Sequence, residues 1–269
     1  MSTKEKCALS AEQHAAIARQ LYEAEKSATP IPLLTQTWPD ITLEDAYAIQ
    51  TEGLRLRLND GETVIGRKIG ITSRGMMRML NCDTPDYSYL LGSMMLPEGQ
   101  PCRTEELIKP MIEGELAFIM GRDLRGPEIT EEAVREATAA VCPCFEVCDV
   151  RFPGYGGVTV RDTISDEAGA ARFVLGSCRR RLEEIDPRGI GMYIEKNGEL
   201  LGSAAGVEVM GSPVTSVAWL ANRLLAYGDY LREGDIVLSG AFMRADAAVV
   251  GDRYTVHLDG FPPLELAFI

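Results

Sequence analysis

KPMIEGELAFIMGRDL, residues 109–124, and AVCPCFEVCDVRF, residues 140–152, are two apolar runs joined by a helical spacer. Three acidic residues interrupt them: Glu113 and Glu115 in the first, Glu146 in the second. Met111–Met120 reads as a strand, in which residues two apart face the same way. Glu113 and Glu115 then share one face, and Ile112, Leu116 and Phe118 the other. Buried carboxylates are rarely left unpaired, and two that share a site repel each other. An Arg, a Lys or a bound cation must compensate. If Glu146 joins them, three oxygen ligands suit a hard divalent ion, Mg²⁺ or Mn²⁺, with water or substrate completing the shell. The competing reading is a solvated strand face with three unrelated glutamates. Spacing leaves both open.

The 269 residues, 46% of them hydrophobic, suffice for one large domain or one domain with a small appendage. No apolar run approaches the roughly 20 residues of a membrane-spanning helix. The N-terminal MSTKEKCALSAEQ has no apolar export segment. A net charge of -13 argues against nucleic acid or an anionic membrane as partner. An anionic small substrate would need a local positive centre, which a metal could supply. Seven cysteines without an export segment fit reduced thiols in the cytoplasm. Cys142, Cys144 and Cys148 lack a common zinc spacing and read better as core thiols. His14 falls in a polar helix, and His257 alternates with Val256 and Leu258 in a strand. Neither has an evident Ser or Cys partner, which disfavours a nucleophilic triad.

Ser10–Lys26 reads as a helix opened by a Ser10/Gln13 capping box, with Ile17, Leu21 and Ala24 as its apolar stripe. Pro30 and Pro32 mark a linker. Thr42 caps a second helix that ends at Asp60-Gly61. Residues 1–62 therefore read as a small helical N-terminal part, and 63–269 as the catalytic domain. Thr63–Thr72 reads as a strand whose Gly66 and Gly70 mark close approach of a ligand or backbone. Lys68 between them is either an edge lysine or a cation aimed into a pocket. Ser73–Leu80 reads as a short Met-rich helix, and Cys82–Leu91 as a loop in which Asp86 could stabilise a turn after Pro85. Thr130–Ala140 reads as a helix, Arg161–Gly169 as a turn or short helix, and Ala171–Gly176 as a strand. Asn197-Gly198 signals a hairpin, and Ser212 with Pro213 opens a helix that Gly228 stops. Asp235–Ser239, Tyr254–Leu258 and Leu264–Ile269 close the chain as strands. The pattern predicts an α+β fold with a mixed, curled sheet. No glycine-rich phosphate loop opens a helix, which disfavours a nucleotide cofactor.

Five motifs occur in order: Gly66-Arg67-Lys68-Ile69-Gly70; Pro85-Asp86; Glu113-Gly114-Glu115; Pro143-Cys144-Phe145-Glu146 with Asp149 and Arg151; and Gly234-Asp235-Ile236-Val237-Leu238-Ser239-Gly240. From Thr42 to the C-terminus the chain resembles the 2-hydroxypenta-2,4-dienoate hydratases of aromatic-ring degradation, in the fumarylacetoacetase-like superfamily. The resemblance implies a fumarylacetoacetase C-terminal-like curled mixed β-sheet, a β-roll, with a small helical N-terminal part. It implies Mg²⁺ or Mn²⁺ on Glu113, Glu115 and Glu146, and Lys68, Asp86 and Asp166 as catalytic groups. Ser239, Gly240 and Arg67 would contact the substrate. The protein would be a cytoplasmic homo-oligomer acting on a small 2-oxo or 2-hydroxy-dienoic acid, with a neighbouring pathway enzyme as a candidate partner.

Hydration of such an acid begins with chelation of its carboxylate and adjacent oxygen, which stabilises an enolate. Ketonisation follows, then water adds to the conjugated alkene. Two positions depart from the family pattern: Glu167 stands where hydratases carry Asn, and Ser88 where glycine is common. Both are expected to shape the substrate side of the pocket. Three rivals remain: a 4-oxalocrotonate-type decarboxylase, a C–C hydrolase of acylpyruvates, and a non-catalytic partner subunit. The hydrolase would need a Glu–His pair that neither His14 nor His257 supplies in a matching motif.

Overall fold

The computed structural model describes residues 6–269. Residues 1–5, the start of the stretch read as lacking an export segment, lie outside the described residues. In chain order come α1 (Ala11–Lys26), α2 (Leu34–Thr37), α3 (Leu43–Asn59), β1 (Val64–Gly70), α4 (Arg74–Met79), β2 (Asp86–Leu91), β3 (Met95–Leu96) and β4 (Met111–Met120). They continue as α5 (Glu131–Ala137), β5 (Thr138–Cys148), α6 (Val160–Ser165), β6 (Ala170–Leu175), β7 (Gly191–Lys196), β8 (Glu199–Ala205) and α7 (Pro213–Leu225). The chain closes with β9 (Ile236–Leu238), β10 (Asp246–Ala247), β11 (Arg253–Leu258) and β12 (Leu264–Ala267).

Among the described residues, one sheet runs β2-β1-β9-β4-β5-β6-β3, with β10 pairing β4. β1/β9 and β3/β6 are parallel and the other pairs antiparallel, so the sheet is mixed, as the pattern predicts. A second sheet runs β12-β11-β7-β8. Alternation on β4 divides the molecule. Ile112, Leu116 and Phe118 enter the main core with Met192, Ile194, Val256, Leu264 and the inward stripe of α7. Ala117 on the opposite face packs with Cys142, Cys144 and Leu238. That opposite face also carries Glu113 and Glu115.

Local rules held where one residue decides them. Ser10 and Thr42 form capping boxes with Gln13 and Asp45. Asn197 and Gly198 both have positive φ, as a tight hairpin turn requires. Three elements differ from the sequence reading. Asp86–Leu91 is not a loop but a strand, paired with β1 along its length. The helix expected over 130–140 stops at Ala137, because Thr138 onward pairs with β4. The linker after Pro32 contains a single helical turn, α2. The N-terminal helices are tied to the sheet: Tyr47 joins the main core, and Gln50 Nε2 donates to Tyr87 O at 3.1 Å and Ile164 O at 3.0 Å. Among the described residues, no helix is long and apolar enough to cross a membrane.

β1 and β9 approach so closely that a Cβ at Gly66 would lie 1.9 Å from the Ile236 carbonyl oxygen. The neighbour is backbone and cannot swing aside. Gly66→Ala should therefore cost about 3 kcal/mol in urea unfolding. A variant with wild-type stability would show that this strand pair can spread freely.

Candidate active site

β4 and β5 pair so that Glu113 lies directly opposite Glu146, and Glu115 opposite Cys144. Glu115 and Glu146 are buried and Glu113 half-buried. Glu113, Glu146 and Cys148 each offer an atom within 4.8 Å of the others. Glu115 Oε2 accepts the Gly240 N–H at 2.8 Å, while its Oε1 has no partner among the described residues. Glu146 Oε1 lies 3.0 Å from Lys68 Nζ, a contact without hydrogen-bond geometry, and its Oε2 has no partner there either. Buried carboxylate oxygens with nothing to accept from are costly, and this donor set suits a hard cation. The residues present fit a divalent ion.

Lys68 is not an edge lysine, since β1 runs between β2 and β9. It is 3% exposed, and Nζ donates to Ala168 O at 2.9 Å. Asp86 opens β2 opposite Gly70 and accepts Thr163 Oγ1 at 3.3 Å. A Cβ at Gly70 would lie 2.3 Å from Asp86 Oδ1 and 3.5 Å from Lys68 Nζ, so glycine leaves room for both side chains. A cavity of about 490 Å³ opens over this cluster. Lys68, Asp86, Glu113, Cys148, Thr163 and Tyr155 line it, and Met76, Met79, Met111, Val150 and Val158 give it apolar walls.

Burial, reinforced by Glu146, pushes the Glu113 carboxyl up to about 7 despite Lys68. Burial raises Glu115 well above the usual range, with Glu146 and Glu113 adding to it. Asp86 is raised by burial against the pull of Lys68. Burial alone would lower Lys68, but Glu146, Cys148, Asp86 and Glu113 outweigh it and hold the ammonium well above its ordinary value.

A family model described as Fumarylacetoacetate (FAA) hydrolase C-terminal matches residues 77–268. The chain belongs to the fumarylacetoacetate hydrolase C-terminal family. It is 39% identical over 252 residues to a 2-hydroxyhexa-2,4-dienoate hydratase of Comamonas testosteroni, covering 93% of this chain and 95% of that one. It is 43% identical over 210 residues to a 2-hydroxypent-2,4-dienoate hydratase of Pseudomonas putida, covering 78% and 94%. Among solved structures, the 4-oxalocrotonate decarboxylase of Pseudomonas putida G7, complexed with magnesium and adipate, superposes with a TM-score of 0.95 at 32% identity, covering 98% of this chain and 100% of that one.

Within this family fold, Lys68, Asp86 and Glu113 line one cavity and Glu146 lies beside Lys68, while Glu115, on the same strand face as Glu113, is not part of the group that Glu113, Glu146 and Cys148 form. Arg67 points to the opposite face of β1, where it binds Asp229 at 2.5 Å and stacks on Tyr89, and it does not line the cavity, against its expected place at the substrate. Strand alternation from Lys68 dictates this. Asp166 does not line the cavity. Both its oxygens are held by Arg151, through Nε at 2.5 Å and the backbone N–H at 2.8 Å, so it is an ion-pair partner, not an acid facing substrate. Ser239 and Gly240 sit beneath the wall, which Ala241–Ala245 forms; Gly240 secures Glu115, and the Ser239 carbonyl accepts Ser216 Oγ at 2.7 Å. Glu167 turns from the cavity toward Arg57, and Ser88 is fully buried opposite Lys68; neither lines the cavity. His14 pairs with Asp45 and His257 stacks on Tyr193, both away from the cavity.

Cys148 was read as a core thiol rather than a cavity residue, and Thr163 was not singled out. Cys148 lies two residues beyond Glu146 on the same strand face, a periodicity that could have placed it. Thr163 reaches Asp86 through a tertiary contact and left no local trace.

Glu113 and Glu115 keep protons in the folded, metal-free protein that an unfolded chain releases. Stability of the metal-free protein should therefore fall as pH rises through the window from 4.5 to about 7. Thermal unfolding with chelator should give a lower midpoint at about pH 8 than at about pH 5. Mg²⁺ should raise the midpoint at the higher pH and do little at the lower, because ligands must shed protons to bind. A chelated protein that gains stability across that interval would contradict the assignment.

Proposed function

We propose that the protein is a divalent-metal-dependent lyase that adds water to a 2-hydroxy-2,4-dienoate, giving a 4-hydroxy-2-oxo acid in aromatic-compound breakdown. One observation carries the reading: Glu113, Glu115 and Glu146 share one sheet face, Glu115 and Glu146 with oxygens that lack a partner among the described residues, beside a buried lysine and a buried aspartic acid that line one cavity with Glu113. Identity to the two dienoate hydratases supports it. Glu113, Glu115 and Glu146 would hold Mg²⁺ or Mn²⁺. Bound there, the ion supplies Lewis acidity and a positive anchor for the carboxylate and 2-oxygen of the substrate.

The chain's own groups account for the rest. Lys68, fully charged, stabilises negative charge as it develops on the substrate's 2-oxygen. Asp86, whose carboxyl burial raises above its ordinary range, is placed on the cavity to pass a proton between its carboxyl and the substrate carbons during ketonisation and water addition. The apolar walls exclude bulk water and disfavour a charged tail, since burying an unpaired carboxylate against Met and Val is costly. The seven cysteines are all free, which supports a reducing compartment.

The alternative, a 2-oxo-3-enedioate decarboxylase of the 4-oxalocrotonate type, has a specific support. The structural match to such an enzyme extends over nearly the whole chain, and Arg244 lines the cavity from an exposed position where a second carboxylate could meet it. The two readings differ in product. Incubation with a monocarboxylic dienol and with the dicarboxylic 2-oxo acid, followed by NMR and CO₂ capture, should give the 4-hydroxy-2-oxo acid without CO₂. Release of CO₂ from the diacid alone would favour the decarboxylase. Glu115→Gln should weaken Mn²⁺ binding at least about tenfold; unchanged affinity would remove it from the ligand set. Lys68→Met should leave Mn²⁺ bound but slow turnover about a hundredfold. Normal turnover would make Lys68 only a counter-charge for Glu146.

A further inference from the structure

The carbonyl that holds Lys68 belongs to an unusual piece of backbone. Glu167, Ala168 and Gly169 all have left-handed φ, at 54°, 51° and 70°. A single left-handed residue is ordinary in a turn, but two successive side-chain-bearing ones are sterically costly. Such strain persists only where the surroundings enforce it. Here two arginines enforce it. Arg151 brackets the turn, donating to Asp166 Oδ1, to Asp166 O at 3.0 Å and to Ala170 O at 3.3 Å. Arg57, from α3, holds the Glu167 carboxylate at 2.7 Å and also pairs with Glu25 of α1. Gly53, one turn earlier on α3, leaves room for Glu167: a Cβ there would come within 3.2 Å of its Oε1.

The turn's product is the position of Ala168 O, 2.9 Å from Lys68 Nζ. An ammonium has three hydrogens. Ala168 accepts one, Glu146 lies 3.0 Å away in a second direction, and the cavity remains for the third. We propose that Arg57 and Glu167 are positioning residues that fix the Ala168 carbonyl and so aim the Lys68 ammonium at the substrate. The N-terminal helices, which precede the family-matched residues 77–268, thereby take part in catalysis without touching the cavity. The proposal rests on the assignment of Lys68 as a group that stabilises the reacting substrate.

The test compares Glu167→Gln, Arg57→Met and Arg57→Lys with wild type, on whichever of the two acids the wild-type enzyme consumes. An inactive wild type would count against the substrate class; a variant with undiminished kcat would count against the anchor. The account predicts that kcat falls about tenfold in Glu167→Gln and Arg57→Met, with KM and Mn²⁺ affinity within about twofold. Arg57→Lys, which keeps the charge, should recover part of the loss. In a Lys68→Met background, Glu167→Gln should cause no further fall, because the effect passes through that ammonium. Wild-type kcat in Glu167→Gln, an additive loss in the Lys68→Met background, or Mn²⁺ affinity falling in step with kcat would overturn the proposal. If Lys68→Met shows no measurable turnover, the kcat-against-KM split decides, and if Glu167→Gln folds poorly, the two Arg57 variants carry the comparison.

Discussion

Glu113 and Glu146 face each other across paired strands, with Glu115 on the same face, and one Glu115 oxygen and both Glu146 oxygens have no hydrogen-bond partner among the described residues. Like charges at that register destabilise a sheet. Removed from water, the repulsion grows as the effective dielectric falls. Lys68 supplies one positive charge against three carboxyls, and the raised pKa values of Glu113 and Glu115 express the shortfall as retained protons. A doubly charged ion resolves the same imbalance without protonation. Most features of the site follow from that electrostatic debt.

The scaffold delivers its groups by strand order more than by sequence proximity. β9 separates β1 from β4, so Lys68 reaches the carboxylate face from a strand far from the glutamates in sequence. The parallel β1/β9 pair tolerates no side chain at Gly66, and Gly70 leaves Asp86 the space beside Lys68. Arg67 and Lys68, adjacent in sequence, serve opposite faces: one braces Asp229 and Tyr89, the other meets Glu146.

What could be read from the sequence was what short-range periodicity encodes. Two-residue alternation put Glu113 and Glu115 on one face, and capping chemistry located both long N-terminal helices. The same alternation, applied to Arg67, would have turned it from the substrate; resemblance to a motif overrode it. Asp86 was read as a loop residue because a proline precedes it, whereas pairing with β1 makes it the first residue of a strand. Asp166 and Glu167 were placed by comparison with the family pattern, but their burial partners, Arg151 and Arg57, come from other segments that no local pattern announces. The carboxylate cluster was legible because its residues lie on neighbouring strands; the supporting charges were not, because they meet only through tertiary packing.

The most direct measurement is anomalous diffraction at the manganese edge from crystals grown with Mn²⁺. The account predicts one strong peak bounded by single carboxylate oxygens of Glu113, Glu115 and Glu146, each at about 2.2 Å. A peak elsewhere, or a saturated crystal with none between those three side chains, would contradict it.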